Sequence, residues 1–242
     1  SYDSQPGLAT KRQARDAHLV TKSHPHSPLG TATLVGAPIR RHLRQAGQTE
    51  IDNPTKNAAR AVLGIPLHQF VVVVMGGSLG SALLNNVTEQ LRLDEKLTSV
   101  FWYHIAGNRY VENGAPMTSP NCIQVGYEAR IQEVYQAADL VISRSGASTI
   151  GEISTLGVAS ILVPWAGAAD NHQEQNARLL SDVGGALLIT EEHFTAQKAE
   201  EAISDLVQHS EKLTNLRKNA YFAGELNRRA ELGSLIATVA RA

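Results

Sequence analysis

The chain has 242 residues, room for one large domain or two small ones. Its 22 basic and 23 acidic residues nearly cancel, leaving a formal charge of -1, which excludes a nucleic-acid partner held by bulk charge. The single cysteine, Cys122, excludes an internal disulfide, and no apolar run approaches the roughly 18 residues of a membrane span.

The opening, Ser1 to Gly7, reads as a loop entered midway and lacks the pattern of a secretion signal. Residues 1 to about 66 are polar, punctuated by Pro6, Pro25, Pro28, Pro38 and Pro54. His24-Pro25-His26 offers two imidazoles, a pair more readily solvated than metal-bound. Asn53 to Gly64 predicts a helix, with Asn53 as cap, Pro54 at the first position and Gly64 as the stop. Phe70 to Met75 is a continuous, β-branched apolar run, the pattern of a parallel strand buried on both faces. Gly76-Gly77-Ser78 breaks it, and Leu79 to Leu91 predicts a helix. Val100 to Ile105 and Ile123 to Val125 predict strands, and Glu128 to Ala138 a helix that Asp139 ends. Then come a strand at Leu140 to Ile142, a helix at Ala147 to Leu156 and a strand at Ala159 to Val163. A helix at His172 to Asp182 and a strand at Ala186 to Ile189 complete the alternation. From Ala196 the tail is helical, broken near Ser210 and Gly224.

Strands alternating with helices through short loops imply right-handed crossovers and an open parallel α/β sheet. Such sheets bind ligands beyond the C-terminal ends of their strands. Three loops there carry candidate chemistry. In Gly76-Gly77-Ser78-Leu79-Gly80-Ser81, Gly76 and Gly77 allow close backbone approach, and the following helix start suits a phosphate. A tight turn is the alternative, since neither a Rossmann fingerprint nor a P-loop is present. Arg144-Ser145-Gly146-Ala147-Ser148-Thr149-Ile150-Gly151-Glu152 follows a buried strand and opens a helix. There Arg144 faces a diphosphate, Ser145 and the amides from Gly146 onward donate to it, and Glu152 accepts from ribose hydroxyls. Alternatively, Thr149 and Glu152 have the spacing of a capping box. In the third loop, Gln173 and Asn176 share a helical face near a helix start, and amides pair well with sugar hydroxyls. No Asp-x-Asp pair for a metal-bound sugar nucleotide exists.

The string from Arg144 to Glu152, with Val163-Pro164, His172-Gln173 to Asn176-Ala177, Gly76-Gly77-Ser78 and Val35 to Arg40, resembles glycosyltransferase family 28. The resemblance implies a GT-B-type, Rossmann-like parallel sheet flanked by helices, one full domain plus a partial one. It implies transfer of GlcNAc from UDP-GlcNAc to lipid I, giving lipid II, with inversion and without metal or cofactor. Arg40 and Ser78 would contact the donor, and Ala147, Ser148, Thr149, Ile150, Gly151 and Glu152 would cradle the nucleotide. Gln173 would read the GlcNAc hydroxyls beside Asn176, and the backbone of Glu128 would meet the uracil, where the family more often has an aliphatic residue. Residues 1–37 would be a remnant of an acceptor domain, with Asp3 where an asparagine is usual. Residues 38–227 would bind the donor, and 228–242 would pack back toward the acceptor domain. The catalytic base and the contact with the cytoplasmic face of the membrane would lie in that other domain, leaving this half inactive alone. A sugar-nucleotide-binding subunit with a separate acceptor subunit, or a UDP-GlcNAc 2-epimerase-like enzyme, are the alternatives.

Overall fold

The computed structural model describes residues 1, 4–111 and 116–241; Asp3 lies outside them. A short helix α1 (Leu8–Asp16) precedes a two-stranded parallel pair, β1 (Thr21–Lys22) with β2 (Thr33–Leu34). Helices α2 (Arg41–Ala46) and α3 (Asn53–Leu63) lead into the main sheet. Its strands are β3 (Phe70–Met75), β4 (Val100–Ile105), β5 (Met117–Ser119), β6 (Cys122–Val125), β7 (Leu140–Ser143), β8 (Ser160–Leu162) and β9 (Leu187–Leu188). The intervening helices are α4 (Ala82–Leu91), α5 (Ile131–Ala137), α6 (Ala147–Leu156) and α7 (His172–Ser181). The tail forms α8 (Ala196–Gln208), α9 (Ser210–Ala223), α10 (Glu225–Arg229) and α11 (Glu231–Val239), with breaks where Ser210 and Gly224 predict them.

The seven-stranded order is β5-β6-β4-β3-β7-β8-β9, and every pairing is parallel except β5 with β6. Along β3 the side chains alternate between two cores. Val71, Val73 and Met75 join Tyr103, Val134, Tyr135 and Ile153 under α3, α5 and α6. Val72 and Val74 join Leu84, Trp102, Ile142 and Ile203 under α4 and α8. Covered on both faces, these strands read as unbroken apolar runs rather than alternating ones.

The structure shifts several predicted boundaries for local reasons. The cap of α3 is Asp52, whose carboxylate accepts from Thr55 N at 2.9 Å, so Asn53 is the first helical residue. Gly64 does stop that helix, at φ 72°. Helix α4 starts at Ala82 rather than Leu79 because Gly77 and Gly80 take φ of 84° and 69° in a turn closed by Gly80 N to Gly77 O. A Cβ on Gly80 would lie 2.0 Å from Ala106 O, so the turn packs on the loop after β4. Helix α5 starts at Ile131, since Glu128 and Arg130 are bound to each other in the preceding turn. His24 is buried and only His26 is exposed, against the expectation of two solvated imidazoles.

Asp139 lies just past α5 and does more than end it. Its N–H donates to Val71 O at 2.9 Å, and its carboxylate accepts from Val71 N at 2.8 Å. The same carboxylate accepts from Lys56 Nζ and Arg60 Nη2, both at 2.6 Å. Arg60, buried, also donates to the carbonyls of Ala137, Leu67 and Gln69. Removing one partner of such a buried pair leaves an uncompensated charge. Asp139→Asn is therefore expected to lower the unfolding free energy by about 3 kcal/mol. Urea melts of the two proteins measure this, and a loss below about 1 kcal/mol would show the cluster to be peripheral to stability.

Candidate functional site

The strand order reverses between β3 and β7. From β3 the chain builds outward through β4 and β6, then returns to lay β7 on the other flank of β3. Met75 pairs with Ser143, so the loops that follow both strands leave the sheet side by side. Such a switch point opens a crevice beyond the carboxyl ends of the strands. A cavity of about 530 Å³ occupies it. Gly76, Gly77, Ser78 and Ser81 line it from the β3 loop, and Arg144, Gly146 and Thr149 from the β7 loop and the start of α6. Arg109, Trp165, Gln173 and Glu191 come from beyond β4, β8 and β9.

Helix α6 begins at Ala147 with Gly146 as N-cap and no side-chain capping bond. Its first-turn amides and positive dipole end are therefore open to an anion. By contrast, α4 is capped by Ser81 Oγ, which accepts from Leu84 N. Of the helices that follow β3 and β7, α6 starts without a side-chain cap and α4 does not; α7, which carries Gln173 to the cavity, also starts without one. Among the described residues no group of three His, Cys, Asp or Glu is arranged to hold a metal ion.

Arg144 lines the cavity, but protein acceptors already hold its guanidinium. It donates to Val163 O at 3.1 Å, Pro164 O at 3.3 Å and Ser81 Oγ at 2.9 Å, and it pairs with Glu191. Glu191 in turn accepts from Ala166 N at 2.8 Å. Arg144 therefore fastens the loops after β3, β8 and β9 together around the cavity. Its charge reaches a ligand only after partial cancellation by Glu191.

Gln173 is held at one end. Its Oε1 accepts from Trp165 N at 3.0 Å, while its Nε2 has no acceptor among the described residues and remains available as a donor. Ser145 is buried and donates from Oγ to Gln173 O at 2.8 Å. Asn176 is fully buried, with Nδ2 donating to Ser145 O and Oδ1 accepting from Ser4 N. It braces the α6 loop instead of facing the cavity. Ser78 and Ser148 are exposed, whereas Ile150 and Gly151 are buried.

Glu152 lies on the flank of α6 away from the cavity's lining. The capping-box alternative fails on geometry: the cap is Gly146, and Thr149 and Glu152 both lie inside the helix. The Glu152 carboxylate instead accepts from Arg40 Nη2 at 2.7 Å and Tyr135 Oη at 3.0 Å. Glu128, in the turn before α5, accepts from Tyr103 Oη and from the Nε, Nη2 and backbone N of Arg130.

The family profile described as Glycosyltransferase family 28 C-terminal domain matches residues 71–232. The chain belongs to glycosyltransferase family 28. A relative from Desulforudis audaxviator, named as a UDP-N-acetylglucosamine–N-acetylmuramyl-(pentapeptide) pyrophosphoryl-undecaprenol N-acetylglucosamine transferase, is 34% identical over 91% of this chain and 61% of its own length. One of the same name from Myxococcus xanthus is 30% identical over 95% of this chain and 59% of its own. The chain thus spans about three fifths of the length of these relatives. In fold it is similar to the crystal structure of Acinetobacter baumannii MurG, with a TM-score of 0.62 at 23% identity over 93% of this chain and 60% of that one. It is also similar to Anabaena HepE in complex with UDP-glucose, with a TM-score of 0.59 at 15% identity over 96% of this chain and 66% of that one. These neighbours carry the GT-B fold expected from the sequence.

Within this family-28 chain, several cavity residues escaped the sequence reading. Arg109 stands in a loop with no motif, donates to Gly80 O at 3.4 Å and lies 4.8 Å over the Tyr110 ring. Trp165 and Glu191 follow the strands predicted at Ala159 to Val163 and Ala186 to Ile189, but neither side chain by its type points to a nucleotide. The one signal that marks them all is position, directly after a strand. Cys122 and His104 belong to the core instead. Burial pushes the Cys122 thiol up to about 11 and the His104 imidazole down to about 4, so both stay neutral near pH 7.

Hydrogen bonds from Arg130, with help from Tyr103, hold the Glu128 carboxyl down at about 2, against 4.5 for an ordinary glutamate. A carboxylate depressed on folding adds stability that is complete above the unfolded value and is lost as pH falls through the folded one. The melting temperature of the parent is expected to fall relative to that of Glu128→Gln between about pH 4.5 and 2. Thermal melts across that window measure it, and parallel curves would show that Glu128 makes no such contribution.

Proposed function

We propose that this chain is the donor half of an N-acetylglucosaminyltransferase that moves GlcNAc from UDP-GlcNAc to lipid I, forming lipid II at the cytoplasmic face of the bacterial membrane. The observation that carries the reading is the uncapped start of α6, opening onto a cavity at the switch point beside the free amide donor of Gln173. The names of relatives at 30–34% identity support the substrates.

In this reading the donor diphosphate lies against the first-turn amides of α6, near Ser78 and the glycines of the β3 loop. The ribose lies toward Glu152 and the uracil toward the backbone of Glu128. Gln173, its orientation fixed by Trp165 N, donates from Nε2 to a GlcNAc oxygen. An acceptor hydroxyl attacks C1 from the opposite side while UDP leaves, inverting that carbon. Negative charge then grows on the diphosphate, and preorganised amides at a helix start meet it without a metal. The acceptor surface and the base belong to a second domain, of which residues 1–37 form the edge and toward which 228–242 turn. The donor-binding domain comprises residues 38–227.

Titration calorimetry in EDTA tests the proposal. The chain is expected to bind both UDP and UDP-GlcNAc. Gln173→Ala is expected to weaken UDP-GlcNAc about tenfold while leaving UDP within about twofold, the effect of losing a hydrogen bond to a sugar. Binding that disappears with EDTA would overturn the metal-free mechanism. Equal losses for both nucleotides would remove Gln173 from the sugar.

A further inference from the structure

Tyr135 lies on the buried side of α5, fully enclosed, in the same core as Val134, Ile153 and Leu156. Its hydroxyl donates to Glu152 Oε2 at 3.0 Å, and the other carboxylate oxygen, Oε1, accepts from Arg40 Nη2 at 2.7 Å. The two partners differ in kind. The tyrosine ring is locked by packing, so its hydroxyl has one place to be. The Arg40 side chain is 51% exposed, against 13% for Glu152, and meets the carboxylate through a single nitrogen. An exposed pair of this sort holds weakly.

We propose that Tyr135 is a positioning residue for the nucleotide's ribose. It holds Glu152 by Oε2, so that Oε1, covered here by Arg40, is presented to the ribose diol when Arg40 turns away. A carboxylate tethered at one oxygen has lost the rotation that would otherwise blur its aim, and the remaining oxygen accepts from the 2′- and 3′-hydroxyls. Without the tether the carboxylate follows Arg40 toward solvent. The inference rests on Glu152 being the ribose ligand.

The test compares the affinity of the 242-residue chain for UDP and for 2′,3′-dideoxy-UDP, which lacks both hydroxyls, in the parent, Glu152→Gln, Tyr135→Phe and the double variant. The parent is expected to prefer UDP by about tenfold, Glu152→Gln to lose most of that preference, and Tyr135→Phe to lower it about threefold. Tyr135→Phe is expected to change dideoxy-UDP binding by less than about twofold, and to add less than about twofold to the effect of Glu152→Gln, because the two side chains act as one unit. If Glu152→Gln lowers the preference and Tyr135→Phe does not, the positioning role is overturned and the ribose reading stands. If Glu152→Gln leaves the preference intact, or the parent binds neither nucleotide, the ribose reading fails and takes this one with it. Equal losses for both nucleotides in Tyr135→Phe would show a purely structural tyrosine. Should that variant not fold, Glu152→Asp replaces it. It keeps the charge but withdraws the carboxylate from the hydroxyl by one methylene, and retention of the full preference overturns the proposal.

Discussion

The side-by-side pairing of β3 with β7 is the constraint on which the rest depends. These strands are far apart in the chain, and their register, Val72 on Leu140 through Met75 on Ser143, is set at the end of the strands opposite the cavity. Asp139 sets it there. Its backbone N–H and its carboxylate both engage Val71, and Arg60 and Lys56 neutralise the charge. A slip of one residue would turn every β7 side chain to the other face and carry Arg144 away from Ser81. The buried knot at the bottom of the sheet therefore fixes the geometry of the crevice at the top, without touching anything bound there.

Charge in the crevice is arranged less simply than a list of basic residues suggests. Arg144 is matched by Glu191, so its main effect is to hold the loops after β3, β8 and β9 in one arrangement. Unmatched positive potential comes from the start of α6, where no side chain caps the amides, as none does at the start of α7. Arg109 adds an exposed guanidinium at the rim. Fixed backbone dipoles suit a group whose charge grows during reaction, because they need no reorganisation when it does.

Much of this was legible in the sequence, for identifiable reasons. β3 and β4 occupy the predicted spans because fully buried parallel strands leave unbroken apolar runs bounded by turn residues. Helix α6 matches because Gly146 and Gly157 bracket it. Errors arose where side chains replaced the backbone's own logic. Asp52 displaced Asn53 as a cap, and Glu128 with Arg130 delayed α5. The burial of Arg60 and the enclosure of Asn176 depend on partners distant in sequence, which no local pattern encodes. For Glu152, spacing suggested a cap, and the structure removes that reading by placing its carboxylate on Arg40 and Tyr135 instead of a backbone amide.

Glu128, Glu152 and Glu191 are each paired with an arginine, and the three pairs are not equivalent. Glu128 receives three nitrogens of Arg130 and a tyrosine hydroxyl, so the residue is fixed as part of the turn. Glu191 is tied to Arg144, which other acceptors also hold, and to Ala166 N. Glu152 and Glu191 are each met by their arginine through one contact, but of these three only Glu152 receives that contact from a side chain half in solvent. Breaking a pair costs least where the fewest bonds are lost and water can replace them. A ligand that needs a carboxylate from this surface therefore finds it most cheaply at Glu152. That is the carboxylate whose far oxygen is already anchored to the core by Tyr135, so the oxygen it frees is also the best aimed.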